Sequence, residues 1–397
     1  MSEVLHDAIE SGDAAAVARV LDANPELKAR LDDPLPGGSF GETPLLAAVR
    51  RANRDVVDVL LRAGADINQK SHWWAGPFHV LDGSARQPWL PAFLMGRGAI
   101  PEIHHAVQLG MADEVARRLD QDPSLIQVRG ADGQLPLHFA QTVEMAEYLV
   151  GHGAELDARD IDHESTAAQY MVRDRQAVAR YLVSRGAAAD VLLAAALGDV
   201  DLVRRVVDET PRTIRMRVTA EWFPMRDARA GGTIYIWTLG SGKGPHEIAR
   251  EFGHDEVLRV LMTRTPPSLK LAVACEIEDT ALAEELRGQG VTVEPIDQVR
   301  LVTAASQGRN VAVRMLLDAG CEASVVDEGA TALHWAAYQG NASLVETLLD
   351  RGAPVDVRDA RFQGTPLDWA DHGSREGACR AAADYSRVLA LLSPQSS

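Results

Sequence analysis

The chain has 397 residues, in which 40 Lys and Arg face 57 Asp and Glu, for a net charge of −17. That length exceeds one compact core, and the acidic balance argues against a nucleic-acid backbone or an anionic membrane surface as the main partner. Three Cys far apart in sequence argue against a disulfide framework and against a Cys-based metal site, while 46% hydrophobic residues argue against a disordered polymer.

The start, Met1-Ser2-Glu3-Val4-Leu5, has neither a basic nor an apolar run. No stretch approaches the ~18 consecutive apolar residues of a membrane span. A soluble, cytoplasmic protein is therefore expected.

Along the chain a unit recurs. Thr43-Pro44-Leu45-Leu46-Ala47-Ala48 is followed by Val56-Val57, Leu60-Leu61 and Ala63-Gly64-Ala65-Asp66. Leu135-Pro136-Leu137-His138-Phe139-Ala140 and Leu301-Val302-Thr303-Ala304-Ala305 are further copies. The clearest is Thr331-Ala332-Leu333-His334-Trp335-Ala336-Ala337, whose successor Thr365-Pro366-Leu367-Asp368-Trp369-Ala370 starts 34 residues later. Each part has a physical reason. Thr caps the free N–H groups of a helix start, and Pro in the first turn loses no hydrogen bond. Small Ala lets two helices approach, and Val and Leu spaced three and four apart form the inner stripe of a second helix. Gly-Ala stops that helix in a left-handed turn.

The Thr-Pro-Leu-His-x-Ala-Ala signature, the Gly-Ala-Asp stop and a period near ~33 residues resemble the ankyrin repeat. Ten or eleven helix pairs open near residues 4, 43, 101, 135, 165, 190, 245, 268, 298, 331 and 365. The resemblance implies an all-α solenoid of about ten helix pairs, with hairpin loops to one side and a concave groove. The phrase Ser71-His72-Trp73-Trp74-Ala75-Gly76 is also similar to uncharacterised bacterial multi-ankyrin-repeat proteins.

Departures from the repeat come next. Residues 69–100 carry Trp73, Trp74 and Trp89 among Pro and Gly that interrupt every helical window. Residues 212–244 alternate apolar and polar in two runs around Trp222 and Arg226, which predicts a long β-hairpin finger. Its Gly240-Ser241-Gly242-Lys243-Gly244 lacks the spacing of a phosphate loop. At Asp160-Ile161-Asp162-His163, His163 takes the place of the turn Gly. The pattern thus divides into N-terminal repeats (1–68), a Trp-rich insert (69–100), central repeats (101–211), the finger (212–244), C-terminal repeats (245–392) and a tail (393–397).

In the resemblance, the residue after the signature His faces the groove. That column reads Ala47, Phe139, Tyr170, Ile248, Trp335 and Trp369, and large aromatics there mark a contact surface. With the departures it gives the candidate ligand-binding set: His72, Trp73, Trp74, Phe139, His163, Tyr170, Trp222, Arg226, Tyr235, Trp237, His334, Trp335, Tyr338, Asp368, Trp369 and His372. His334 and Asp368 occupy equivalent slots of adjacent repeats, so a His–Asp contact is expected there. It would either pin two loops or orient a general base. No His pair has helical metal spacing with a third ligand nearby, so no metal site is expected, and no cofactor motif is read.

Two functions stay open: a scaffold holding a protein partner in the groove, or a small-molecule site or enzyme where insert and finger roof the concave face. Homodimerisation through the finger is a third expectation.

Overall fold

Thr331 Oγ1 accepts the His334 backbone N–H, and Thr43 Oγ1 accepts that of Leu46. These caps begin the Ala332–Tyr338 and Pro44–Arg50 helices. Each first helix is short, and a second follows after a tight turn. The second is capped in its own way: Asn53 and Asn341 side chains accept from Val56 and Leu344, and Asp199 and Asp279 from Leu202 and Leu282. The computed structural model describes residues 3–375 and 383–393. Cys379 and the tail residues 394–397 lie outside them.

Two units are distinguished, Met1–Ala189 with Phe223–Thr238, and Asp190–Trp222 with Leu239–Ser397. In the first, helix pairs run Glu3–Glu10/Ala14–Ala23, Pro44–Arg50/Arg54–Arg62, Ile103–Gln108/Ala112–Gln121, Pro136–Phe139/Val143–Gly151 and Ala167–Tyr170/Gln176–Ser184. In the second they run Val191–Leu197/Val200–Glu209, Pro245–Glu251/Asp255–Arg264, Pro267–Glu276/Thr280–Gly288, Arg300–Ser306/Asn310–Asp318, Ala332–Tyr338/Ala342–Asp350 and Pro366–Arg375/Tyr385–Leu392. The all-α repeat architecture is therefore present. The inner stripes are fully buried: Val56, Val57 and Leu60 in the first unit, and Leu316, Leu344, Val345 and Leu348 in the second. Each such side chain stabilises its unit by about 1.5–3 kcal/mol of apolar burial.

The Trp-rich insert is irregular from 69 to 83 and then forms a short helix, Leu90–Met95. Its buried Leu90 and Leu94 join the first unit's core.

The finger differs from its sequence pattern. Residues 212–244 contain no strand; they hold a 3-10 turn at Pro211–Arg215 and a wide π turn at Ile236–Gly240. The described strands are Val326–Asp327 and Ala330–Thr331, one antiparallel hairpin tip. The reason lies in remote partners. Arg215 is drawn to Asp297 with bonds of 3.2 and 3.1 Å, and Arg217 to Asp327 and Thr303 at 3.1 and 2.8 Å. Polar positions that should face solvent are thus pulled inward. In the second run Ile234, Tyr235 and Leu239 are buried, a spacing that fits a helical turn. The loop's base is closed by two backbone bonds, from Val218 N–H to Lys243 and from Gly242 N–H to Val218. Self-association through strand edges loses its basis, because the segment offers none.

Within the second unit, Arg300 donates to Glu276 at 2.6 Å, with the two side chains 2% and 1% exposed. Burial pushes the Glu276 carboxyl up, and Arg300 pulls it back toward the charged form. Removing one partner strands the other charge in the core. Arg300→Met is expected to destabilise the second unit by about 3–5 kcal/mol. Adding Glu276→Leu should recover most of the loss, as measured by urea unfolding.

Candidate functional site

The sixteen candidate residues divide between the two units. His72, Trp73, Trp74, Phe139, His163, Tyr170, Arg226, Tyr235 and Trp237 fall in the first, and Trp222, His334, Trp335, Tyr338, Asp368, Trp369 and His372 in the second.

In the second unit the last two repeats build one aromatic face. Trp335 and Trp369 meet edge to face with centroids 5.2 Å apart, and Tyr338 lies 6.1 Å from Trp369 and 6.4 Å from Trp335. His372 follows 6.2 Å from Tyr338. The three large rings are half-buried and His372 is exposed. Trp369 is held from behind, its indole N–H donating to Asp359 at 3.0 Å. Asp359 also accepts the backbone N–H groups of Arg361, Phe362 and Gly364. These bonds outweigh desolvation and bring its carboxyl down to about 2.

The expected His334–Asp368 contact is not made. Asp368 accepts from the N–H and hydroxyl of Thr365, both at 2.8 Å, capping its own helix. Buried His334 accepts the Thr331 N–H on Nδ1, and its Nε2 faces the Gly364 carbonyl at 3.2 Å. No general base is oriented by this pair. Trp222 lies apart from the face, beneath the Arg212 guanidinium at 5.6 Å.

In the first unit the departures converge on hairpin tips. Asp132 N–H bonds to the Gly76 carbonyl, and Ile161 and Asp162 N–H groups bond to the Asp132 carbonyl. Gly76 is required here, because a Cβ would sit 2.2 Å from the Gly130 carbonyl oxygen. The Trp73 indole N–H donates to Asp132 at 2.9 Å. Gly231 N–H bonds to Asp162, and His163 Nδ1 donates to the Gly232 carbonyl at 2.8 Å. Asp160 accepts from the N–H groups of His163 and Ser165 and from the Tyr170 hydroxyl at 3.0 Å. Burial, then the Asp162 charge, pushes Asp132 up to about 7; burial also raises Asp160. Burial raises Tyr170 further above its usual range. The left-handed turn position is taken by Glu164 (φ 44°), not by His163 as the sequence suggested.

A cavity of about 740 Å³ in this unit is lined by Phe40, Glu42, Phe78, Gln108, Phe139, Tyr170 and Arg175, among others. Among the described residues, none from 212–244 lines it. Arg175 is anchored to the His138 and Ala140 carbonyls at 2.8 and 2.9 Å, while Gln108 Oε1 has no partner.

Several candidates serve other ends. Tyr235 is fully buried against Phe223, 5.4 Å away, and out of a ligand's reach. Trp237 is 70% exposed, and Trp74 stacks with Arg229 at 4.1 Å. His72 is exposed and holds Gly41 through its backbone. The Arg226 side chain is exposed while its N–H bonds to Glu164. In the groove column, Ala47 and Ile248 are fully buried. Asp132 and Asp162 were missed because acidic residues at hairpin tips are ordinary turn formers.

The recurring unit matches a known family. Family models described as ankyrin repeats in three copies match residues 246–359 and 301–379, and a single ankyrin-repeat model matches 40–72. This is an ankyrin-repeat protein. Similar segments occur in the palmitoyltransferase Hip14 of Drosophila melanogaster, 34% identical over 79 residues, 20% of this chain and 12% of that protein. Serine/threonine-protein kinase 12 of Arabidopsis thaliana is 45% identical over 70 residues, 17% of this chain and 15% of that protein. The chain therefore covers well under two thirds of these relatives. The human ASB11 ankyrin repeat domain aligns over 75% of this chain and 100% of its own at 17% identity, with a TM-score of 0.28. Among the described residues no helix is long and apolar enough to cross a membrane.

Three buried histidines, of which His138 fills the signature slot, are held neutral. Burial brings His79 and His138 down to about 4 and His246 to about 3, from the ordinary 6.5. At these histidines the unfolded chain binds more protons than the folded one, so their contribution to stability falls as pH drops from 6.5 toward 4, opposite in sense to that of the raised Asp132. The urea midpoint of His138→Gln, measured against the wild type, should gain more at pH 5 than at pH 7.5, because Gln169 makes the same cap in the next repeat without titrating.

Proposed function

We propose that this ankyrin-repeat protein is a binding scaffold that holds a protein partner on the aromatic face of its last two repeats, and that it works in the cytoplasm. Ankyrin repeats are in general protein-interaction scaffolds. The observation that carries the finer reading is the interlocked, half-buried set Trp335, Tyr338 and Trp369, fixed from behind by Asp359. Rigid aromatic rings of this kind supply contact area at small entropic cost and dominate interface energies. Peptides selected from a displayed library on the whole protein test it. Trp335→Ala and Trp369→Ala should each weaken the selected peptides about thirtyfold, the equivalent of about 2 kcal/mol. Trp237→Ala, a change in the exposed loop, should leave them unchanged. Equal binding to both face variants defeats the reading.

A second reading, a small-molecule site on the first unit, is favoured by the cavity of about 740 Å³ and the unpaired Gln108 Oε1 on its wall. Ligand pockets of this size are usual, and an unmatched acceptor invites a donor. A fragment screen by ligand-observed NMR should return donors whose signals lose saturation transfer in Gln108→Leu. Hits indifferent to that change, or no hits, remove the cavity from consideration.

A further inference from the structure

The hairpin tips of the first unit bring Asp132 against Asp162 and His163, which lie about thirty residues further along the chain. One oxygen each of Asp132 and Asp162 and one ring nitrogen of His163 all lie within 4.8 Å of one another. His163 Nδ1 is 2.8 Å from the Gly232 carbonyl oxygen. A carbonyl only accepts, so Nδ1 carries the proton, and in the neutral ring Nε2 presents its lone pair. That lone pair faces Asp162 Oδ2 at 3.5 Å, a separation beyond a good N–H···O bond. Asp162 is 5% exposed, and no hydrogen bond reaches its Oδ2 among the described residues. Three potential ligand atoms therefore cluster, and no hydrogen bond of good length joins one to another among the described residues.

We propose that Asp132, Asp162 and His163 bind one divalent transition cation of the zinc class. Two ligands about 2.1 Å from a tetrahedral ion lie about 3.4 Å apart, close to the observed pair. One imidazole with two carboxylates suits zinc or manganese better than magnesium or calcium. Each ligand also has an outside partner that fixes its orientation: Trp73 on Asp132, the Gly231 N–H on Asp162 and the Gly232 carbonyl on His163. Such outer contacts are what metal ligands require. They come from the two segments that depart from the repeat, so the insert and the 223–238 loop meet at the ion. Three protein ligands leave a position open to water or to a partner's donor. The spacing rule that argued against a metal looks for ligands on one helix, and these sit on successive tips.

The test uses untagged full-length protein stripped with EDTA and titrated with zinc chloride alone in a calorimeter. Cobalt chloride in parallel gives a visible spectrum. The expected result is one equivalent bound per chain, with cobalt d–d bands of a low-symmetry site. Asp162→Asn and His163→Gln should each weaken binding at least tenfold while circular dichroism is unchanged. Trp73→Phe, which touches no metal, should weaken it by about 10–100-fold. Absence of stoichiometric zinc binding and of cobalt bands in the wild-type protein overturns the proposal, whatever the variants do. So does binding that is unaffected in Asp162→Asn and Trp73→Phe. Should His163→Gln fail to fold, the wild-type spectrum and the Trp73→Phe affinity decide the matter.

Discussion

The structure turns on one small hydrogen bond, made again in repeat after repeat. The N–H that precedes six of the first helices is accepted by the side chain three residues on. His105, His138 and His334 use Nδ1 for it, Gln169 and Glu247 a terminal oxygen, and Asp368 a carboxylate oxygen. The orphan donor of a helix start is costly if left unmade in the interior. With it satisfied, a first helix as short as four residues, Ala167–Tyr170, persists against its neighbours. The histidines do a second service: with Nδ1 accepting, Nε2 donates to the next tip, at Ser165 for His138 and Gly364 for His334. Gln, Glu and Asp keep the first bond and give up the reach of the ring.

A second device repeats with the same spacing. Trp369 donates its indole N–H to Asp359, and Tyr170 its hydroxyl to Asp160, each pair ten residues apart and 3.0 Å in contact. The aromatic side chain that follows the signature slot is thus clamped to the acid that organises its own tip. Phe139, in the same column, has no donor, and Arg129 stands where its acid would be. The clamp explains why these rings hold a fixed pose although they are partly open to solvent. The clamp lowers both acids, yet the outcomes differ: Asp359 is held well below the usual carboxylate range, whereas burial lifts Asp160.

The repeat was legible because its signals are local: Thr caps, Gly stops and the three-and-four spacing lie within one helix pair. The aromatic face was legible for the same reason, since Trp335 and Trp369 stand one period apart. The segment 212–244 was not, because its conformation is set by Asp297, Asp327 and Thr303, some eighty or more residues away. Alternation alone cannot report that an arginine will turn inward to an acid. His105 was overlooked as a slot residue because Glu102, not Thr, precedes its helix. Of the Asp132–Asp162–His163 group only His163 was singled out as a candidate, because the two acids are unremarkable in their own turns and the group forms only when one tip stacks on the next.

The first unit is not continuous in sequence: it takes in residues 1–189 and then waits for 223–238. His163 must join Gly232, and Ser165 must join Ile234, across 69 residues each. During vectorial synthesis its helix pairs can therefore stack one by one as they emerge, whereas the tips around Asp162 stay unfinished until the ribosome has added the later loop. Contacts this distant form late and slowly beside the nearest-neighbour stacking of a solenoid. A nascent chain stalled before residue 223 would carry nearly the whole scaffold of that unit and an open set of tips, a window in which a chaperone or a competing ligand meets groups that the finished protein encloses.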